Sequence, residues 1–418
     1  MKPIFVFALI VVSLFGCKNE GAIVNRTAKA RIDSTLQALV DEGSIAGVSA
    51  LIFEKDKEVY FNAFGYADRE AKTPMDRNTI VRIFSMTKPV TGTALMKLYE
   101  EGKFQLDDPL SKYAPEFNNL KVFAGYDAKG KMILEEPHRP VTIRDITRHT
   151  AGFVSNIPDT TTAFGKLVKQ TNATSWENTL EQMAKKLGSL PLTFHPGEQW
   201  SYGPSVDVQA FLVERLSGKP FDQYVNENIL TPLKMTTTRY VIPENDRARF
   251  AAAYRKSDKE LVRVPDEDAN RLNFKRWPMT PGGYGLTSTL DDYMRFARMF
   301  VKHGSLEGAT ILKPETITLM STNHLADSVT ERMWLPSKGQ VGFGIDFAVR
   351  LKAPATPEEN NGYVGEFFWD GAASTLFWVD PVNELTAVLF VQVFPFDGKL
   401  HKKFRDAVYG KYRQQIQK

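Results

Sequence analysis

The chain has 418 residues, 43% of them hydrophobic and 24% charged, with 28 glycines, an ordinary globular composition that excludes a disordered, collagen-like or coiled-coil chain. The 53 basic and 49 acidic residues leave a formal charge of +4 with no blocks of like charge, which excludes a nucleic-acid footprint. One cysteine excludes an internal disulfide framework and a Cys-based zinc site, and the length suits two or three domains or one large core with insertions.

The chain opens with Lys2 and an apolar run from Ile4 to Phe15, broken by Ser13 and followed by Gly16 and Cys17. This is the pattern of a charged n-region, a short h-region and a cleavage site, too short for a membrane span. Leu14-Phe15-Gly16-Cys17 resembles a bacterial lipoprotein signal. The resemblance implies a signal peptide over 1–16, lipidation at Cys17, export, and a membrane anchor that leaves the protein facing the periplasm or the cell surface. A plain secretory signal that contains a cysteine is the alternative. Residues 17–27 read as a polar tether and 28–418 as one domain.

Ile32, Leu36 and Leu39 place a helix over Ala28–Leu39. Gly47–Phe53 and Val59–Phe64 form a hairpin across the charged link Glu54–Glu58. The stretch from about 105 to 275 is rich in helical patterns, such as Trp176–Leu187 and Val206–Leu216, and reads as a helical insertion. Beyond it come a helix over Leu290–Lys302, strands over Gly342–Leu351, Ser374–Val379 and Leu385–Val393, and a terminal helix over Lys399–Arg413. Strands at both chain ends imply one sheet closed by N- and C-terminal pieces, with a helical lobe between them and a ligand cleft between sheet and lobe.

One serine has a lysine three residues later, in Ser85-Met86-Thr87-Lys88. Met86, Val90, Ala94 and Leu98 can bury one helix face while Ser85 and Lys88 share another, and Pro89 is tolerated in a first turn, which puts the helix start near Ser85. A serine hydroxyl is a poor nucleophile without an adjacent base, and a lysine serves as one when its charged form is disfavoured or its proton is shared. A second proton acceptor is therefore expected.

Ser-x-x-Lys at a helix start resembles the first motif of the serine β-lactamase and penicillin-recognising superfamily, and within it the class C β-lactamase-like carboxylesterases. The strings Phe84–Val90, Arg148–Phe153, Pro196–Tyr202, Gly282–Thr289 and Trp369–Gly371 carry the resemblance over residues 30 to 400. It implies an α/β fold: a β-lactamase-like antiparallel sheet flanked by helices, with an inserted helical lobe. Tyr60-Phe-Asn62 and Tyr224-Val-Asn226 match the second motif, Tyr-x-Asn, literally. The first lies before the nucleophile and the second where a surface helix is expected, so the resemblance instead picks out Tyr202, opening Tyr202-Gly-Pro-Ser205-Val-Asp207. Tyr202 and Lys88 would share the base role.

Trp369-Asp370-Gly371 stands in place of the third motif, Lys-Thr-Gly. Gly371 would let backbone approach the substrate, and the Ala372 and Ser85 amides would form an oxyanion hole. The missing lysine and the Asp370 carboxylate would disfavour an anionic substrate. His149 and His195 read as satisfied scaffold histidines, and Tyr284, Phe343 and Phe368 as an acyl pocket or as core. The implied function is cleavage of an ester or amide through an acyl-enzyme on Ser85, with no metal or cofactor. The alternatives are penicillin-binding, β-lactamase or D-amino-acid peptidase activity, acyl transfer, and a non-catalytic lipoprotein that binds cell wall.

Overall fold

The computed structural model describes residues 21–155, 159–257 and 260–410. The expected signal segment, Cys17 and residues 411–413 of the helix expected over Lys399–Arg413 lie outside them. Helix α1 spans Arg26–Asp41, capped by the Asn25 side chain, and buries Ile32, Leu36 and Leu39 as their spacing predicts. The tether ends earlier than expected. The Ile23 and Val24 amides donate to the Glu54 carboxylate at 2.8 and 3.1 Å, and Val24 is buried, so the body of the protein begins at residue 23.

Strands β1 (Gly47–Glu54), β2 (Lys57–Asp68) and β3 (Thr73–Pro74) precede helix α2 (Thr87–Glu100). Late in the chain come β4 (Val341–Phe343), β5 (Ala348–Arg350), β6 (Phe367–Asp370), β7 (Leu376–Asp380) and β8 (Leu385–Phe390). They form one antiparallel sheet in the order β4-β5-β6-β7-β8-β1-β2-β3. The chain ends meet where β1 pairs with β8, Leu51 opposite Val388, so the sheet is closed as expected. Gly342–Leu351 is a hairpin rather than one strand. Gly344 packs where a Cβ would lie 2.2 Å from the Met320 carbonyl oxygen, and Asp346 turns the chain with φ 59°.

Helix α3 (Ser205–Ser217) is the spine of the lobe and packs on α2, while helix α4 (Leu290–Val301) lies against β7, β8 and β1. Helix α5 (Gly398–Tyr409) packs beside α1. Phe404 meets Trp378 while Phe377, immediately before it on the same strand, meets Tyr293 of α4, so α5 and α4 cover opposite faces, as strand alternation requires. The lobe also holds Ile143–Thr147, Ala163–Thr171, Leu180–Gly188 and a hairpin of Val122–Tyr126 with Met132–Glu135. Trp176 precedes the Leu180 helix, whose capping box at Thr179 and Gln182 fixes a later start than periodicity suggests. Among the described residues no helix is long and apolar enough to cross a membrane.

Candidate active site

The chain enters the site through a 3-10 turn, Phe84–Met86, that leads into α2. Phe84 takes φ 44°, unusual for a bulky side chain, and is held by an edge-on contact with Phe394. The turn leaves Ser85 partly exposed just ahead of a helix buried on nearly every side, from Thr87 to Met96. That burial differs from the one-faced pattern expected, because α2 lies between the sheet and the lobe. Lys88, 4% exposed, donates to Ser85 Oγ at 3.2 Å and to the Gly283 carbonyl at 2.7 Å.

The second partner explains the glycine run. At Gly282 a Cβ would fall 2.3 Å from the Val206 carbonyl oxygen, and at Gly283 it would lie 3.3 Å from Lys88 Nζ. The Gly283 amide in turn donates to Asp207 Oδ1 at 2.9 Å. Burial pushes the Asp207 carboxyl up, opposed by this amide and by the Lys88 charge. Sequence placed Asp207 in a motif without giving it a role. Its role is to tie the Gly283 loop over the lysine.

Tyr202 arrives at the same lysine by its ring. Lys88 Nζ lies 4.4 Å from the ring centroid, and the phenol oxygen accepts from Trp369 Nε1 at 3.4 Å. The expected sharing of a proton between Lys88 and Tyr202 is therefore not made by direct contact in this state. Tyr202 sits in an aromatic wall with Trp369, Trp334, Trp200 and His149. Phe343 closes that wall against Trp369. Phe368 faces the other way, under the Arg405 guanidinium of α5. His149 is fully buried, and neither ring nitrogen has a hydrogen-bond partner among the described residues, so it is not the satisfied histidine that was expected. Burial, reinforced by Lys88, holds its ring in the neutral form with a pKa well below the usual range. His195 does match: it stacks on His138 and bonds Glu135 at 2.9 Å.

The literal Tyr-x-Asn matches are elsewhere. Tyr60 and Asn62 both donate to Asp33 on α1. Tyr224 is on the helix Phe221–Val225, which exposes Gln223 but turns the tyrosine inward, 5% exposed.

At the end of β6, a Cβ on Gly371 would lie 2.6 Å from the Ile83 carbonyl oxygen, so only glycine lets this turn press against the segment that carries Ser85. The neighbouring Ala372 is exposed, and its amide has no acceptor among the described residues. Asp370 departs from expectation. Its carboxylate is ion-paired with Lys338, both nearly buried, and lies 4.0 Å from His401 Nδ1 of α5. Alternation along β6 turns Trp369 toward Tyr202 and Asp370 toward α5, so Asp370 presents no unpaired negative charge to a substrate. Lys338, in the turn Leu335–Lys338, carries no motif and escaped the sequence reading. So did Asp346, whose Oδ1 accepts from Gln209 Nε2 at 3.0 Å while Oδ2 has no partner among the described residues. Burial pushes the Asp346 carboxyl well up, against the Gln209 amide and the Lys88 charge.

A Ser-x-x-Lys pair at the junction of an antiparallel sheet and a helical lobe, with a free amide on the facing strand turn, defines a serine hydrolase. The chain belongs to the Beta-lactamase family, whose model matches residues 32–409. It is 31% identical over 372 residues to Protein Rv1367c of Mycobacterium tuberculosis, covering 87% of this chain and 89% of that protein. It is 26% identical over 410 residues to the lovastatin esterase of Penicillium rubens, covering 91% and 98%. Among solved structures it is similar to EstCE1, described as a hydrolase with promiscuous acyltransferase activity, at TM-score 0.76 and 28% identity over 93% of this chain and 100% of that one.

Proposed function

We propose that the protein cleaves a carboxylic ester through an acyl-enzyme on Ser85. The observation that carries this is Lys88 Nζ 3.2 Å from Ser85 Oγ, buried and held from behind by the Gly283 carbonyl. With Lys88 acting as the neutral amine, Ser85 Oγ attacks the ester carbonyl while its proton passes to the Lys88 nitrogen lone pair. The developing oxyanion is held by the Ser85 and Ala372 amides, and the proton leaves with the alcohol by way of Lys88 and the Tyr202 hydroxyl. Water, activated through the same two groups, then adds to the acyl carbon and releases the acid and Ser85. No step calls for a metal or cofactor. The esterase and hydrolase relatives support this reading. The description of EstCE1 supports a second one, in which an alcohol replaces water in the last step.

The test is turnover of aryl acetates and butyrates together with fluorophosphonate labelling. Ser85→Ala abolishes both while keeping the fold. Tyr202→Phe slows acylation about a hundredfold or more, the range of general acid–base catalysis, while Tyr224→Phe is silent. Near wild-type turnover by Ser85→Ala removes Ser85 from the mechanism. We also propose that the protein is exported and anchored through Cys17. Fractionation of Cys17→Ser should show loss of membrane association, since stable anchoring needs the full lipid modification; unchanged association leaves the plain secretory signal.

A further inference from the structure

The side of the site away from the β6 edge continues into a feature that acyl transfer does not require. Tyr284, next to Gly283, accepts a hydrogen bond at 2.7 Å from the Trp176 indole nitrogen. Trp176 stands edge-on to Trp277, with ring centroids 5.5 Å apart. The two line an open cavity of about 340 Å³ together with Thr174, Ser175, Glu177 and Arg271. The cavity therefore begins one tyrosine side chain away from the backbone carbonyl that holds Lys88.

Its chemistry is uneven. Both indole nitrogens are spent inside the protein, that of Trp176 on Tyr284 and that of Trp277 on the Arg271 carbonyl at 3.1 Å. A ligand thus meets the indoles as hydrocarbon. Above them stand two cations: the Arg271 guanidinium lies 5.2 Å from the Trp277 ring centroid and 6.0 Å from that of Trp176, and Lys275 Nζ lies 4.2 Å from Trp277. Neither cation is ion-paired among the described residues, whereas the adjacent Arg276 is bound to Asp222 at 2.8 Å. Glu177 is the acidic group on the rim, leaving an excess of one positive charge. Arginine favours a carboxylate, which it can grip with two parallel hydrogen bonds.

We propose that this cavity is a specificity subsite for a ring that carries a carboxylate, situated on the part of the substrate distal to the scissile ester. The proposal rests on the esterase reading for its place in a reaction, though not for binding. The ring packs on the Trp176 and Trp277 edges and the carboxylate meets Arg271, with Lys275 adding charge. A neutral sugar fits less well, because its hydroxyl donors would find few acceptors beside Glu177 and the two small hydroxyls.

Calorimetric titration of the full chain carrying Ser85→Ala, with naphthalene-2-carboxylate and its neutral carboxamide, tests binding without turnover. The carboxylate should bind at least tenfold more tightly, and Arg271→Gln should erase the difference. Trp277→Phe, a milder change, should weaken both ligands. In the protein with Ser85 intact, two aryl esters differing by a distal carboxylate should show a kcat/KM ratio of tenfold or more that falls to about one in Arg271→Gln. Equal binding of the two ligands, or a preference that survives Arg271→Gln, overturns the subsite. A carboxylate preference without cleavage of any ester overturns the esterase reading and leaves the subsite standing.

Discussion

Two places near Ser85 bury aspartates, and they handle the charge in opposite ways. On the α5 side of β6, Asp370 is ion-paired with Lys338, with both side chains under 10% exposed. Behind Lys88, Asp346 is fully buried with one oxygen lacking a partner among the described residues, and Asp207 is held by an amide rather than a cation. A carboxylate taken out of water must be paired or must take up a proton. The β6 edge uses pairing. In the lysine pocket neither acid has a cation bound to it, and burial pushes both carboxyls up. The first arrangement fixes structure. The second puts titratable groups within electrostatic reach of the proposed base.

Breaking the pair gives the largest effect. Lys338→Met leaves Asp370 buried and uncompensated, a loss of about 3–5 kcal/mol for a broken buried ion pair. The double variant Lys338→Met/Asp370→Leu should recover most of that stability, because well-packed apolar replacements of a buried pair are often neutral or better. Denaturant melts of the single and double variants check this. If the double variant is no more stable than Lys338→Met, Asp370 is not the residue that needs the lysine.

A smaller effect is expected behind Lys88. Asp207→Asn keeps an oxygen for the Gly283 amide, so the loop should hold, but it removes a carboxyl that titrates beside the base. We expect kcat/KM to fall about tenfold, roughly 1.4 kcal/mol of transition-state stabilisation, with a changed pH profile. A fall with an unchanged pH profile would assign Asp207 to loop geometry alone.

The sequence showed what is local. The helix near Ser85, the hairpin after α1 and Tyr202 as the tyrosine that reaches Lys88 are all read from short spacings or strings, and the sheet closed by both ends follows from strand order. What it did not show depends on partners far along the chain. Asp370 and Lys338 are 32 residues apart and joined by the turn that carries Lys338 beneath β6. Gln209 reaches Asp346 across 137 residues. Asp370 was misread because its neighbour in the motif, Trp369, does face the site, and alternation sends the next side chain away. The hairpin within Gly342–Leu351 was missed because the one charged residue in its middle, Asp346, was read as part of a strand rather than as the turn it makes.

The last expected effect concerns Asp346 and separates protonation from pairing most directly. An unfolded aspartate titrates near 3.9, whereas burial holds the folded group well above that. Below about pH 4 the carboxyl is protonated in both states and its folded-state environment costs nothing in linkage. As pH rises, the unfolded chain releases the proton while the fold retains it, so stability declines by up to about 1.4 kcal/mol per pH unit until the folded pKa is reached. Asp346→Asn has a similar shape and no proton to release. Its melting temperature relative to the unmodified protein should therefore rise steadily from pH 4 to pH 7, by a few degrees, and thermal melts at four or five pH values would trace the curve. A flat difference would mean that Asp346 is ionised in the fold, with the Lys88 charge outweighing burial, and the contrast with Asp370 would then vanish.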